Sequence, residues 1–327
     1  MNKRTSYSYK LSDDEQAELV RILKQGNYRP IDIPHTSFAA ETEKCKIALY
    51  NSGKCVVQGQ NANDFVTFVL EPQVLKRAEL GYEKLLSPEK YKPHMGVDES
   101  GKGDFFGPMV IVCAYVDEET VDALQEMGVK DSKRITSDKK VLELGRDLRK
   151  TLANRHSVVR IGPESYNRLY TKMRSVNAIL SWGHARAIEN VLGMTPECPR
   201  VVIDQFGAEH EVKRALMKAG RGVELVQKHR AESDPAVAAA SVIAREVFVK
   251  SLQDMAKEHS VKIPKGASAT VREAAAELVE KSGPEILIKT AKCHFRTTDA
   301  VLEATGYNRS ALGTNGQATS KQFTRPS

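Results

Sequence analysis

Two adjacent carboxylates, Asp98 and Glu99, open the stretch VDESGKGDFFGPM (97–109), directly ahead of a serine, two glycines and a lysine. Two further acids stand at informative places: Asp204 closes the apolar run RVVID, and Asp234 precedes PAVAAASVIAREVF. Strand ends that meet on one side of a sheet can gather acids distant in sequence, and Asp98 and Asp204 suit that geometry. Asp234 suits a helix N-terminus, where Pro235 fits the first turn and free backbone donors favour a negative side chain. Capping alone accounts for Asp234, and a surface acid after an apolar strand accounts for Asp204. Taken together, the four acids point to metal-assisted phosphoryl chemistry. Mg²⁺ and Mn²⁺ prefer hard oxygen ligands, and a two-ion site needs several carboxylates to hold like-charged ions close together. Asp98 is the natural bridging ligand. Neighbours on a regular strand face opposite ways, so Glu99 either lies at a bend or makes a structural contact.

The glycines extend the same argument. Gly101 and Gly103 let backbone approach a polynucleotide strand with no Cβ in the way, and Lys102 can approach a phosphate or simply face solvent. SGKGDFFG lacks the spacing of GxxxxGK[ST], and Phe106 stands where the last glycine of GxGxxG would fall, so neither nucleotide-binding loop is expected. A formal charge of +7 and a pI near 9.0 fit a polyanionic partner without requiring one.

Hydrophobic residues at 41% and charged residues at 28% describe an ordinary globular chain of 327 residues, long enough for two domains. No run reaches 18 apolar residues, and the first 20 residues lack a signal peptide's apolar centre, so no membrane association and a cytoplasmic location are the expectations. Five scattered cysteines, Cys45, Cys55, Cys113, Cys198 and Cys293, read as reduced thiols.

Residues 1–86 form a small α+β module by pattern. Ser12 and Glu15 have capping-box spacing ahead of a helix; KCKIALY, NSG and KCVVQGQ read as a hairpin flanked by Lys44, Lys46 and Lys54. ANDFVTFVLEPQVL returns as a helix interrupted near Pro72. The polar LLSPEKYKPH marks the junction. Strands at HMGVDES and GPMVIVCAYVD follow, then SVVRI, RVVIDQF and VELVQ. Helices are expected near 119–126, 137–154, 163–173, 175–192, 209–219, 235–257, 268–282 and 284–290. The result is a mixed α/β sheet flanked by helices over 87–305, with a structureless segment at 306–327.

DESGKGDFFGP, KDSK, YNRLYTKMRSVNAILSWGHARAI, VIDQF, ESDPAVAAASVIAR and CHFRT, in this order, resemble the type 2 ribonuclease H family, and within it the bacterial ribonuclease HIII group. The resemblance runs through about residue 303. It implies a ribonuclease-H-like fold preceded by a TATA-binding-protein-like substrate-binding domain, and it implies metal ligation by Asp98, Glu99, Asp204 and Asp234. It also implies that Gly101, Lys102 and Gly103 read ribose 2′-hydroxyls, the groups that separate RNA from DNA, and that Ser132 and Lys133 contact phosphate. The implied reaction is endonucleolytic cleavage of RNA in RNA/DNA hybrids with Mg²⁺, or Mn²⁺ as substitute, in a two-metal mechanism that leaves 5′-phosphate and 3′-hydroxyl ends. No obligate protein partner is evident, and a monomer is expected. Incision at isolated ribonucleotides in DNA, as in type HII enzymes, and noncatalytic hybrid binding are the alternatives. Tyr166, Leu169, Tyr170, Trp182 and Ile188 are expected in helix packing, His184 in a hydrogen-bonding role, and Lys265 and Gly266 in a polar surface loop that can approach the duplex.

Overall fold

The computed structural model describes residues 5–76, 88–129, 135, 137–204, 212, 214–216, 220–228 and 231–320. The chain divides into two compact units, Met1–Glu89 and Lys90–Ser327.

In the smaller unit, the Ser12 hydroxyl accepts from Glu15 N while Glu15 Oε2 accepts from Ser12 N at 2.7 Å, a reciprocal cap that starts α1 (Asp13–Gln25). Five strands, β1 (Ser6–Lys10), β2 (Arg29–Pro30), β3 (Thr36–Thr42), β4 (Cys45–Tyr50) and β5 (Lys54–Gln58), form an antiparallel sheet in the order β1-β5-β4-β3-β2. The β4–β5 hairpin matches the sequence expectation. One face of the sheet carries Tyr7, Ala40, Ile47, Leu49, Cys55 and Val57 into a core with Leu19 and Leu23 of α1. That core also takes Val66, Leu70 and Val74 from the widened π-helical turns Val66–Leu75, which continue α2 (Ala62–Phe65) and contain Pro72. Strict alternation along the strands leaves Lys10, Lys46, Lys54 and Gln58 on the opposite face.

The larger unit is built on a mixed sheet in the order β10-β9-β6-β7-β8. Its strands are β6 (His94–Ser100), β7 (Met109–Val116), β8 (His156–Ile161), β9 (Arg200–Asp204) and β10 (Glu224–Lys228). β6 pairs antiparallel with β7 and parallel with β9. The helices are α3 (Glu118–Glu126), α4 (Asp138–Thr151), α5 (Pro163–Met173), α6 (Val176–Leu192), α7 (Pro235–His259), α8 (Ala269–Ser282), α9 (Ile286–Thr290), α10 (Arg296–Ala304) and α11 (Gly313–Gly316). Val110, Val112 and Ala114 of β7 pack under Ala236, Ala240 and Ile243 of α7, whereas Met109, Ile111 and Cys113 pack under Tyr166 of α5 and Ile179 and Ile188 of α6. A sheet buried on both faces explains why β7 and the centre of β9 read as continuous apolar runs.

The helix expected at 209–219 falls largely outside the described residues. The segment expected to lack structure from 306 onward is ordered through Ser320. Its anchor is Arg309, which pairs with Asp299 at 2.5 Å and donates to the carbonyls of Cys293 at 2.9 Å and Gly316 at 2.8 Å. A polar composition does not preclude order where one guanidinium satisfies several carbonyls at once. All five cysteines are buried free thiols.

Candidate active site

Three of the four acids stand on elements that adjoin one another in the larger unit: Asp98 in β6, Asp204 at the end of β9 and Asp234 at the start of α7. Parallel register pairs Val97 with Ile203, so the next residue on each strand, Asp98 and Asp204, lies side by side on the sheet face that carries α7. Asp204 Oδ1 accepts from Ala231 N at 3.2 Å, tying the end of β9 to the turn that leads into α7. Asp234 caps that helix, its Oδ1 accepting from Ala236 N at 3.0 Å and Val237 N at 3.3 Å. Gly96 makes the approach possible. A Cβ there would lie 2.2 Å from Val237 N and 2.4 Å from Ala236 C, so only glycine lets the first turn of α7 rest on β6 two residues before Asp98.

Asp234 is buried, and its Oδ1 also receives the Nε2 of buried His94 at 2.9 Å, while His94 Nδ1 lies 2.7 Å from the Lys92 carbonyl. Asp234 Oδ2 is buried with no hydrogen-bond partner among the described residues. Burial pushes the Asp98 carboxyl up to about 7, against the hydrogen bonds of the Ser241 hydroxyl and Glu99 N, with the negative charges of Glu99 and Glu232 adding to the rise.

Glu99 resolves the question its position raised. It stays in register with Ile111, on the face opposite Asp98. Its Oε2 meets Nε2 of buried His184 at 3.2 Å, and Lys102 Nζ lies 3.8 Å from Oε1. Burial works to raise Glu99, but the His184 hydrogen bond and charge, with Lys102 behind them, hold its carboxyl below the usual range. As the side chains stand, no group of three or more His, Cys, Asp or Glu among the described residues is drawn together tightly enough to hold an ion. The donor set nevertheless fits one. A buried carboxylate oxygen without a hydrogen bond, and a carboxyl raised by burial and further by neighbouring negative charges, are both what a hard cation satisfies.

The glycine loop begins where β6 ends. Gly101 has φ +88°, and a Cβ on it would lie 2.3 Å from the Pro108 carbonyl, so the fold itself requires this glycine. Gly103 differs: a Cβ there would meet nothing within 4 Å among the described residues. Gly266 lies in a polar loop, as expected, and from there supports the glycine loop, donating to Asp104 Oδ1 at 2.6 Å and accepting from Phe105 N at 2.9 Å. Lys265 pairs with Asp138 at 2.5 Å. Ser132 and Lys133 lie outside the described residues. Tyr166, Tyr170 and Ile188 are buried and Leu169 is half-buried, but Trp182 is 36% exposed. Sequence reasoning missed His94, Ser241, Glu232 and Lys292. Their only signal is proximity to the named acids and glycines after folding. Among the described residues, no helix is long and apolar enough to cross a membrane.

A family model described as ribonuclease HII matches residues 95–298, and one described only as a domain of unknown function matches residues 9–78. The ribonuclease HIII of Protochlamydia amoebophila is 40% identical over 88% of this chain and 94% of its own length. That of Chlamydia pneumoniae is 37% identical over 89% and 96%. Among solved structures, Bst-RNase HIII in complex with Mn²⁺ superposes with a TM-score of 0.63 at 25% identity, covering 92% of this chain and 99% of that one. Aquifex aeolicus RNase H3 superposes with a TM-score of 0.51 at 30% identity, covering 88% and 98%. With the acids and glycine loop of the larger unit inside the matched range, and both units spanned by relatives of one description, the chain belongs to the ribonuclease HII family, in its ribonuclease HIII group.

Proposed function

We propose that the endonucleolytic cleavage of RNA in RNA/DNA hybrids characteristic of this family runs, in this chain, at the corner where β6, β9 and α7 meet. Asp98, Asp204 and Asp234 hold divalent cations, and Glu99, one residue before the end of β6, completes the set by swinging off His184 when the ions bind. The reading is supported by a strand pairing, a backbone hydrogen bond and a helix cap that join the elements bearing three acids distant in sequence. When bound, two Mg²⁺ ions, or Mn²⁺ as in the Bst relative, supply Lewis acidity to the attacking water and the departing oxygen. The protein's own work is positional. Asp98 presents a carboxylate already crowded by Glu99 and Glu232; Asp234, held through Oδ1 by His94 and two backbone amides, leaves Oδ2 for a ligand.

Gly101, Lys102 and Gly103 read the ribose. The fold does not require glycine at 103, whereas close approach of a ligand backbone does. Phosphate contact by Ser132 and Lys133 and release of 5′-phosphate and 3′-hydroxyl ends complete the reading. Residues 1–86 act as a TATA-binding-protein-like hybrid-binding domain. The sheet face with Lys10, Lys46, Lys54 and Gln58 is the contacting surface, because helices cover the other face. Comparing cleavage of a long hybrid with that of a DNA duplex containing one ribonucleotide tests the substrate. Faster turnover of the hybrid is expected, and preference for the single ribonucleotide would assign the chain to type HII-like incision instead. Binding without cleavage in Mn²⁺ would mark a noncatalytic hybrid binder.

A further inference from the structure

Lys292 is fully buried, and among the described residues it has no carboxylate within ion-pair distance. Its Nζ donates to the carbonyls of Phe106 at 3.1 Å and Gly107 at 2.7 Å and lies 5.9 Å from the centre of the Tyr166 ring. Burying an ammonium this way is costly, and an apolar side chain of similar shape would fill the space at lower cost. What the ammonium provides is two donors for two consecutive carbonyls where the chain turns out of the glycine loop, next to Gly107 at φ +78°.

The surroundings make this a clamp. Lys292 N donates to the Phe105 carbonyl at 2.8 Å, Gly107 N donates to Thr290 O at 2.9 Å, and Phe106 bridges Ala291. Asn167 fixes the other side of the segment: its Nδ2 donates to Ala291 O at 2.9 Å and its Oδ1 accepts from Cys293 N at 2.9 Å. The segment 290–293 is therefore pinned to α5 and holds the exit of the loop, while Gly266 holds Asp104 and Phe105 ahead of it. Burial brings the Lys292 ammonium down to about 7, opposed by the charge of Asp104; burial, with the charges of Lys292 and Arg309, holds His294 down at about 4.

We propose that Lys292 is a positioning residue for ribose recognition: by holding the Phe106 and Gly107 carbonyls it sets the height at which Gly101–Gly103 meets the 2′-hydroxyls of the RNA strand. The inference rests on reading that loop as the ribose reader, and the test separates the two. Equilibrium binding of the full chain to a hybrid and to an all-DNA duplex of the same sequence is measured in Ca²⁺ by fluorescence anisotropy, with KM and kcat measured separately in Mg²⁺. Gly103→Ala should lower the preference for hybrid about tenfold without loss of thermal stability. Lys292→Met should lower it by a similar factor and raise KM more than it lowers kcat, and the double variant should fall short of additivity.

An unchanged preference in Gly103→Ala would remove the loop reading and the inference with it. A lost preference in Gly103→Ala beside an unchanged one in folded Lys292→Met would overturn the inference alone. If Lys292→Met does not fold, Lys292→Gln, which keeps one amide donor, should show a smaller loss of preference, and no loss would overturn the proposal. In the unsubstituted chain, the Lys292 Nζ resonance should move on adding hybrid and stay in place on adding the DNA duplex. Equal responses to both would overturn it as well.

Discussion

Asp98→Asn removes a charge that the fold otherwise has to bury. The folded carboxyl titrates at about 7 against an ordinary 3.8, mainly because of burial. The folded chain thus holds the proton more tightly than the unfolded one. The stability tied to Asp98 is complete below about pH 4, declines above it and is lost as pH rises through about 7. That gap, at about 1.36 kcal/mol per pH unit, sets a ceiling of about 4 kcal/mol. Solvent reaches part of the side chain, so about half, or about 2 kcal/mol, is the expected penalty above pH 8. Asn, isosteric and neutral, escapes it.

With EDTA present at pH 8, Asp98→Asn should be about 2 kcal/mol more stable to urea than the unsubstituted chain, and this gain should shrink to less than half at pH 5. Trp182 is the single tryptophan and lies in α6, so its fluorescence reports the larger unit alone. Mn²⁺ should narrow or reverse the difference by binding the native unsubstituted site. A variant no more stable than the parent at pH 8, or one whose gain ignores pH, would show that Asp98 is not held protonated by burial.

Gly96→Ala forces a Cβ into the backbone of Ala236 and Val237, and should cost about 1–3 kcal/mol in urea unfolding while weakening Mn²⁺ binding measured by calorimetry. His94→Ala leaves Asp234 buried with two of its three hydrogen bonds; a loss of about 3 kcal/mol is expected in the same unfolding assay. Deleting residues 1–86 should raise the Kd for hybrid more than it lowers kcat, as anisotropy and steady-state rates would show. His184→Ala removes the hydrogen bond that holds the Glu99 carboxyl low, so the Glu99 resonance should titrate at higher pH in carboxyl-labelled NMR.

Local signals carried much of this architecture. The Ser12–Glu15 box, the hairpin at NSG and the Asp234–Pro235 start of α7 depend on residues within a few positions of one another, and each appears where the sequence places it. β1, β2 and β3 carry weak local signals: SYSYK is short and has only two tyrosines as its apolar residues, RP is only two residues long and TSFAAET is rich in small side chains. The corner of acids was legible as strand ends and a cap, and the opposite facing of Asp98 and Glu99 followed from strand geometry alone. Its supports were not. His94 meets Asp234 across 140 residues, and Lys292 meets Gly107 across 185. Pairings so far apart leave no periodicity to read in the sequence.

The most direct test of the site is the anomalous signal of manganese in a crystal of the chain bound to an RNA/DNA hybrid, kept at pH 8 with cleavage slowed by low temperature. Mn²⁺ is expected on Asp98, between Asp204 and Asp234, beside a scissile phosphate of the RNA strand. Manganese bound elsewhere, with Asp98 and Asp234 Oδ2 both free of it, would overturn the assignment of the site.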